Sequence, residues 1–284
     1  MIAVTTSADV RRELMTIRRA DKRVGFVPTM GNLHAGHIKL INVAREHADF
    51  VVASIFVNPM QFGPNEDFAS YPRTPNKDHE ALIAAGVDLL FTPTTEEMYP
   101  RGMAAQTVVE VPNLSEILCG SVRPGHFRGV TTVVSHFFNV VQPEVAVFGK
   151  KDYQQLMLIR LMVSDLGMPI EIIGVDTVRE ADGLAMSSRN NYLQPQERLT
   201  AAGLYATLLK LREEIARDTS MLPSVSALGM RRLQELGFRP DYVNVVRRQD
   251  LSSATAHDRE LVILAAAWLG HTRLIDNLEF DIVR

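Results

Sequence analysis

The 284-residue sequence has little of several features that mark particular classes of protein. Its single cysteine, Cys119, excludes an intrachain disulfide and any multi-cysteine metal site. A net charge of -3 and one tryptophan give no basic field or stacking stripe for nucleic acid. The longest apolar runs, residues 50–57 and 261–269, are shorter than the roughly 20 residues that cross a bilayer. We therefore expect neither a nucleic-acid partner nor a membrane partner.

Common catalytic fingerprints are also missing. The chain has no Walker-type loop, no GxGxxG dinucleotide motif and no GxSxG nucleophile elbow. The first fourteen residues carry charges and no long apolar stretch, unlike a secretory signal. Together with the lone cysteine, this predicts a cytoplasmic location.

The first two-thirds of the chain alternates between two kinds of segment. Apolar, β-branched runs predict strands at residues 24–27, 50–57, 87–91, 145–148 and 170–175. Longer periodic segments predict helices at residues 8–19, 36–47, 77–85, 130–141 and 153–166. This alternation is typical of an α/β fold with a parallel sheet covered by helices on both faces. Ligands of such folds bind beyond the carboxyl ends of the strands.

The pattern changes after about residue 178. Helices are predicted at residues 197–217 and 224–236, and antiparallel strands at 242–247, 261–268 and 273–277. We therefore expect two domains, a larger α/β domain at 1–177 and a smaller α+β domain at 178–284.

The segment PTMGNLHAGH, residues 28–37, carries the strongest chemical signal. It follows a predicted strand and opens a predicted helix, so His34 and His37 share one face of the helix N-terminus. That end holds unpaired N–H groups and suits a phosphate, and Gly36 leaves room for a flat ligand. Alternatively the histidines are capping or solvated groups, or half of a metal site, although further ligands for a metal are missing.

Two later segments also suit phosphates, because they combine cations, hydroxyls and backbone donors. They are Gly149, Lys150, Lys151 and Asp152 after the strand at 145–148, and Met186, Ser187, Ser188 and Arg189 in a later loop. Asp152 is a candidate to help hold Mg²⁺, which prefers oxygen ligands. Alone, the first segment is compatible with a charged surface turn and the second with an ordinary turn.

Polar residues near two other predicted elements suit a small substrate. Asn58 and Gln61 stand at the mouth of an apolar strand, where uncharged amides can bond hydroxyls and a carboxylate. His126 lies in a glycine-rich turn, RPGHFRG, before a helix. Alternatively, Asn58 and Gln61 only cap a loop.

Taken in order, these segments resemble the pantoate–β-alanine ligase (pantothenate synthetase) family. The resemblance rests on PTMGNLHxGH, FVNPxQF, RPGHFRGV, KDxQQ and SSRN, with AAWLG and RLIDN fitting later. It implies a Rossmann-like N-terminal domain, a smaller mobile C-terminal lid domain and a homodimer. It implies also that pantoate and MgATP give pantoyl adenylate and pyrophosphate, and that β-alanine then displaces AMP. The family's two histidines and its Ser-Ser-Arg loop resemble the signature motifs of class I aminoacyl-tRNA synthetases.

The resemblance also implies roles for individual residues. His37 is the expected proton donor and His34 contacts phosphate beside it, while Gln61 and Gln155 hold pantoate. The expected catalytic set is His37, His34, Lys151, Ser187 and Arg189. ATP binding is expected at Met30, Gly31, His34, Gly36, His37, Gly149, Lys150, Lys151, Asp152, Val178, Met186, Ser187, Ser188 and Arg189. Substrate contact is expected at Gln61, Gln155, Asn58 and His126, and no residue is expected to form a dedicated metal site.

One position departs from the family pattern, and two other functions compete. Lys150 stands where the family often has glutamate, and we expect its side chain to point to solvent. A nucleotidylyltransferase acting on a small phosphorylated substrate would share the histidine motif. A nucleotide-sensing protein would need the phosphate site without any reacting group.

Overall fold

The computed structural model describes residues 1–64 and 66–282. Over these ranges the chain divides into two compact units, residues 1–150 with 155–176, and residues 151–154 with 177–282. No helix in the described ranges is long and apolar enough to cross a membrane.

The first unit is an α/β layer structure. Its strands are β1 (Ile2–Val4), β2 (Val24–Thr29), β3 (Phe50–Ile55), β4 (Leu89–Phe91), β5 (Val145–Gly149) and β6 (Glu171–Val175). They form a parallel sheet in the order β1-β4-β3-β2-β5-β6. Its helices are α1 (Ser7–Arg19), α2 (Ala35–His47), α3 (Pro75–Ala84), α4 (Thr95–Met98), α5 (Cys119–Val122), α6 (His126–Val141) and α7 (Tyr153–Asp165). The first two residues of α7 group with the second unit.

Helices cover both faces of this sheet, as the apolar strands predicted. Neighbouring residues of a strand point to opposite faces. Val27 packs in a core cluster with Ile41 of α2. Phe26 packs on the other face against Phe137 and Phe138 of α6, with ring centroids 5.6 and 6.4 Å apart. Each such buried aromatic side chain contributes about 1.5–3 kcal/mol.

The topology sets the place of the two turns that follow β2 and β3. These strands are neighbours and run parallel, so Thr29 and Ile55 end at the same edge of the sheet. After β2 the chain continues into the histidine motif, and after β3 it continues into a short 3₁₀ turn, Pro59–Gln61. Both predicted ligand segments therefore start at the carboxyl edge.

The second unit is a smaller α+β structure, as the sequence predicted. It contains β7 (Arg239–Arg247), β8 (Glu260–Leu269) and β9 (Thr272–Asp281), paired antiparallel in that order. Its helices are α8 (Pro195–Ala201), α9 (Gly203–Arg217) and α10 (Leu222–Glu235). Their apolar faces pack on the sheet around Leu208 and Ile263, both fully buried.

Several element bounds differ from the sequence prediction. The single helix predicted at 197–217 is two helices in the structure, since Ala202 lies between the end of α8 and the start of α9. The helix α6 begins at His126 rather than Val130, because Gly125 in the left-handed conformation (φ 79°) ends the preceding turn. The sequence missed β1, which is three residues long and partly exposed at the sheet edge.

Candidate functional site

The two histidines cap the N-terminus of α2 and each other. His34 is the N-cap residue, and its Nδ1 accepts a hydrogen bond from the Gly36 N–H at 3.1 Å. The Nδ1 of His37 accepts from the His34 N–H at 3.3 Å, which completes a reciprocal capping box. The two rings lie side by side, with centroids 4.1 Å apart and planes 41° apart. Both imidazoles are thus fixed at the positive end of a helix.

This capping selects the tautomer of both rings. A nitrogen that accepts a hydrogen bond from a backbone N–H carries no proton, so each neutral imidazole holds its proton on Nε2. Each Nε2–H is therefore a donor, which is the role that a phosphate oxygen requires. Nothing in the sequence motif distinguishes the two ring nitrogens.

A buried carboxylate holds the loop that leads to the histidines. Asp78 of α3 is 2% exposed and accepts from the backbone N–H groups of Asn32 at 2.9 Å and Leu33 at 2.8 Å. The Thr74 hydroxyl donates to the same carboxylate at 3.0 Å. Gly31 has a φ of +80°, and a Cβ there would lie 3.0 Å from an Asp78 oxygen. The loop therefore needs both a glycine and this acid, and sequence reasoning missed the acid.

Gln61 is positioned through its side chain by Asn58. The Asn58 amide donates from Nδ2 to Gln61 Oε1 at 3.1 Å, and Gln61 Nε2 lies 3.2 Å from the Met30 sulfur. Asn58 is only 1% exposed, and its Oδ1 accepts from the Met60 N–H at 3.2 Å and from the Tyr99 hydroxyl at 2.7 Å. Both ends of the Asn58 amide are therefore bonded inside the protein, which favours support of Gln61 over the predicted contact of Asn58 with substrate.

The backbone of Gln61 is held by a charged cluster. Arg123 pairs with Glu66, with Nε 2.8 Å from Oε1, and donates to the Gln61 carbonyl at 3.3 Å. His126 lies 2.7 Å from the same carbonyl through Nδ1 and 3.0 Å from Arg123 through Nε2. His126 is only 9% exposed and both ring nitrogens face protein groups. It therefore supports Gln61, which favours an indirect role over the predicted contact of His126 with substrate.

Close backbone approach completes this part of the site. Gly129 lies in the first turn of α6, and its carbonyl accepts from Asn58 Nδ2 at 3.1 Å. A Cβ at Gly129 would lie 2.3 Å from the Met60 carbonyl oxygen. Only glycine lets this helix touch the 59–61 turn.

Gln155, the other predicted pantoate ligand, lies half-buried in the first turn of α7.

Gly149 ends the strand β5, and Lys150 begins the 3₁₀ turn that carries the predicted phosphate-binding residues. The Lys150 Nζ lies 2.8 Å from the Asp176 carboxylate, and its side chain is 26% exposed. The Asp176 side chain is itself 88% exposed, so Lys150 is held in an ion pair at the surface of the unit.

In the second unit, the strand β9 anchors the following residues. The Asn277 side chain donates to the Lys151 carbonyl at 3.0 Å, and the Tyr153 hydroxyl donates to Glu279 at 2.9 Å. Asp152 is exposed. Neighbouring positions of one strand therefore fix the backbone that carries Lys151.

The same strand anchors the segment that leads to the Ser-Ser-Arg loop. The Met186 N–H donates to the Val178 carbonyl at 2.9 Å, and Arg179 bridges to Ala185 beside it. Arg179 makes two hydrogen bonds to Asp276, at 2.7 and 2.9 Å. Burial raises the pKa of the Asp276 carboxyl, while the Arg179 hydrogen bonds oppose the rise. Sequence reasoning missed this pair, which lies 97 residues apart along the chain.

The Ser-Ser-Arg loop begins a 3₁₀ turn, Ser188–Tyr192. The Ser187 hydroxyl oxygen accepts from the Arg189 N–H at 3.3 Å and so caps that turn. Ser188 is 8% exposed, whereas Ser187 and Arg189 are half-buried. The loop therefore offers Ser187 and Arg189 more readily than Ser188. Within the described residues, no three His, Cys, Asp or Glu side chains are grouped so as to hold a metal ion.

Sequence comparison identifies close relatives over nearly the whole chain. Residues 2–279 match the family model described as pantoate-β-alanine ligase. A pantothenate synthetase of Pseudomonas putida (strain KT2440) is 57% identical over 278 residues, covering 98% of this chain and 97% of that protein. One of Shewanella loihica is 57% identical over 274 residues, covering 96% and 97%.

Solved structures agree with these relatives. The pantothenate synthetase of Thermus thermophilus has a TM-score of 0.91 at 48% identity, covering 98% of this chain and 99% of that chain. The pantoate-β-alanine ligase of Francisella tularensis, solved with β-γ ATP and β-alanine, has a TM-score of 0.79 at 34% identity. That alignment covers 98% of this chain and 97% of the other.

Proposed function

Because the chain belongs to the pantoate–β-alanine ligase family, we propose how its own residues divide the work of the ligase reaction. The chain is an AMP-forming ligase that condenses pantoate with β-alanine at the expense of ATP, in pantothenate biosynthesis. The match over residues 2–279 overturns the nucleotidylyltransferase and nucleotide-sensing alternatives.

The reaction has two steps with different demands. A pantoate carboxylate oxygen first bonds to the α-phosphorus of ATP, and the bond from that phosphorus to pyrophosphate breaks. The β-alanine nitrogen then bonds to the acyl carbon, the bond to the AMP oxygen breaks, and the amine loses a proton. Both steps depend on aligning reactants and stabilising charge on phosphate oxygens.

The reciprocal capping of His34 and His37 is the observation that carries the proposal. It supports two Nε2–H donors at a helix N-terminus, a place suited to phosphate oxygens. We assign His37 to the oxygens whose charge grows as pyrophosphate leaves, and His34 to binding beside it. Met30, Gly31 and Gly36 shape the same turn around ATP.

Pantoate is assigned to the two glutamines. Gln61 presents its amide Nε2, because Oε1 is engaged by Asn58, and an N–H donor suits a carboxylate or hydroxyl oxygen. Gln155 is the second proposed ligand. Asn58 and His126 serve pantoate through Gln61 rather than by contact.

The remaining ATP contacts are assigned to the segment 149–152, to the Val178 backbone and to the loop 186–189. Lys151 and Arg189 supply positive charge for the triphosphate, and Ser187 supplies a hydroxyl. We propose that residues 1–177 form the nucleotide- and pantoate-binding domain and 178–284 the smaller lid domain. Support for this division comes from the separate cores of the two units.

Magnesium, location and assembly belong to the same proposal. Mg²⁺ enters as the MgATP substrate and neutralises phosphate charge, with Asp152 as the exposed carboxylate of the nucleotide segment. A cytoplasmic homodimer is proposed from the use of ATP, the buried free thiol of Cys119 and the family resemblance.

The test measures pyrophosphate and AMP separately while each substrate is omitted in turn. Pyrophosphate release should require ATP and pantoate, and sustained AMP release should also require β-alanine. Sustained AMP release without β-alanine, or any pyrophosphate without pantoate, would contradict the proposed order of steps.

A further inference from the structure

A buried chain of hydrogen bonds runs from Tyr99 to Gln61. The Tyr99 ring is 2% exposed and its hydroxyl lies 2.7 Å from Asn58 Oδ1. On the other side of the same amide, Asn58 Nδ2 lies 3.1 Å from Gln61 Oε1. Tyr99 is thus connected through one residue, Asn58, by two hydrogen bonds, to Gln61, which the proposed function assigns to pantoate.

The donor and acceptor of each hydrogen bond between Tyr99, Asn58 and Gln61 are fixed. Asn58 Oδ1 also accepts from the Met60 N–H, and Nδ2 also donates to the Gly129 carbonyl, so the Asn58 amide has one possible orientation. The Tyr99 hydroxyl must therefore donate. Burial raises the pKa of Tyr99 well above its usual range, which keeps that proton on the oxygen.

The consequence reaches the Gln61 amide. The Gln61 Oε1 accepts a hydrogen bond from Asn58. The N–H groups on Nε2 therefore face away from Asn58, and Nε2 lies beside the Met30 sulfur. If this amide turned over, a carbonyl oxygen would face the substrate oxygens and repel them. Turning it over would also leave Nε2 against the donating Asn58 Nδ2.

We propose that Tyr99 is a positioning residue for pantoate, acting through Asn58 to hold the Gln61 amide with its N–H groups toward the substrate. This inference rests on the proposed role of Gln61. It extends the pantoate site to a residue of the α4 end that never touches ligand.

The test compares Tyr99→Phe with the parent chain in steady-state kinetics. The substitution keeps the ring and removes one hydrogen bond, and a loss of that kind corresponds to about three- to tenfold in affinity. We expect the pantoate KM to rise by that factor and the ATP KM to stay within twofold. Tyr242→Phe, which removes a hydroxyl in β7, is the matched control and should leave both constants unchanged.

A double-mutant cycle with Gln61→Ala separates the possible failures. In this relay, Tyr99 acts on pantoate through Asn58 and Gln61. Tyr99→Phe should therefore add little to the pantoate KM once Gln61 is truncated to alanine. Additive effects, or equal losses for pantoate and ATP with a lowered Tm, would show a structural role only and overturn the inference. A raised pantoate KM in Gln61→Ala but not in Tyr99→Phe overturns the relay and leaves the Gln61 assignment standing. An unchanged pantoate KM in Gln61→Ala overturns that assignment and the relay with it.

Discussion

The Asp78 carboxylate accepts a hydrogen bond from the backbone N–H of Leu33 at 2.8 Å, immediately before the first motif histidine. A second bond, from the Asn32 N–H, ends on the same carboxylate. An acid of α3 therefore folds the loop that sets the direction of both imidazoles. The loop contains two successive residues with positive φ, Gly31 and Asn32, so it needs such support.

Replacing Asp78 with alanine should therefore weaken both the fold and the reaction. Two backbone donors would lose their buried acceptor, at a cost of about 1–3 kcal/mol each. We expect urea unfolding to show that loss and kcat to fall at least tenfold. Asp88→Ala is the matched control, because Asp88 accepts from the Val51 N–H at 2.8 Å in the same way. It should lose stability with kcat within twofold; an equal loss of kcat there would remove the special role of Asp78.

His37→Ala should nearly abolish adenylate formation. It removes the proposed donor to the phosphate oxygens, a kind of loss that costs about 10²–10³ in rate. It also removes one member of the capping box, which costs about 0.5–2 kcal/mol in stability. Pantoate-dependent pyrophosphate release measures the first effect and urea unfolding the second. Turnover within tenfold of the parent enzyme would rule out the assigned role.

Gly129→Ala should impair pantoate binding before ATP binding. The new methyl group would meet the Met60 carbonyl and the Gln61 nitrogen, both backbone atoms that move only together with the 59–61 turn. We expect at least a tenfold rise in the pantoate KM and a smaller change in the ATP KM. Isothermal titration with each ligand checks this. Parallel losses for the two ligands would point to general unfolding of α6 instead.

Stability should fall in mild acid partly through His136. Burial in α6 lowers the pKa of His136; Glu97 opposes this shift and Arg11 adds to it. A depressed folded pKa means that the unfolded chain binds the proton first. The stabilising contribution is therefore present above the ordinary value of 6.5 and is lost as the pH falls through the folded value. Urea midpoints at pH 7.5 and 5.5 should differ more in the parent chain than in His136→Gln. Equal differences would refute the assignment.

The sequence predicted the parts of the fold that depend on residues close together along the chain. The apolar runs predicted five of the six parallel strands, and β1 escaped because three partly exposed residues carry no periodicity. The histidine turn was visible because a strand, a glycine and a helix start are neighbours along the chain. Gly129 was read as a turn glycine, whereas it lies in α6 at a close backbone contact.

The supporting residues were not visible for a different reason. Asp78 lies 45 residues from Leu33, and Tyr99 lies 41 residues from Asn58. Only the order of strands in the sheet brings such residues together. In the sequence alone, the buried residues Asp78 and Tyr99 do not differ from ordinary polar residues. The bonds of Asn58 to Tyr99 and Gly129, and that of His126 to Gln61, were likewise not visible, since these partners lie 41, 71 and 65 residues away along the chain.

The effects of the buried ion pair between Arg179 and Asp276 on the free energy of unfolding and on ATP binding should be distinguishable by mutation. The Asp276 side chain is 2% exposed and that of Arg179 is 18% exposed, so removing either partner leaves a charge with little solvent. Arg179→Met and Asp276→Leu should each lower the free energy of unfolding by about 3 kcal/mol. The double variant places two apolar side chains together and should recover much of that loss. It should not recover ATP binding, because Arg179 also holds the Gly183 carbonyl in the segment leading to Met186 and Ser187. Urea unfolding and the ATP KM, measured on all three variants, check both parts. Full recovery of the ATP KM in the double variant would show that the pair stabilises the second unit without positioning the Ser-Ser-Arg loop.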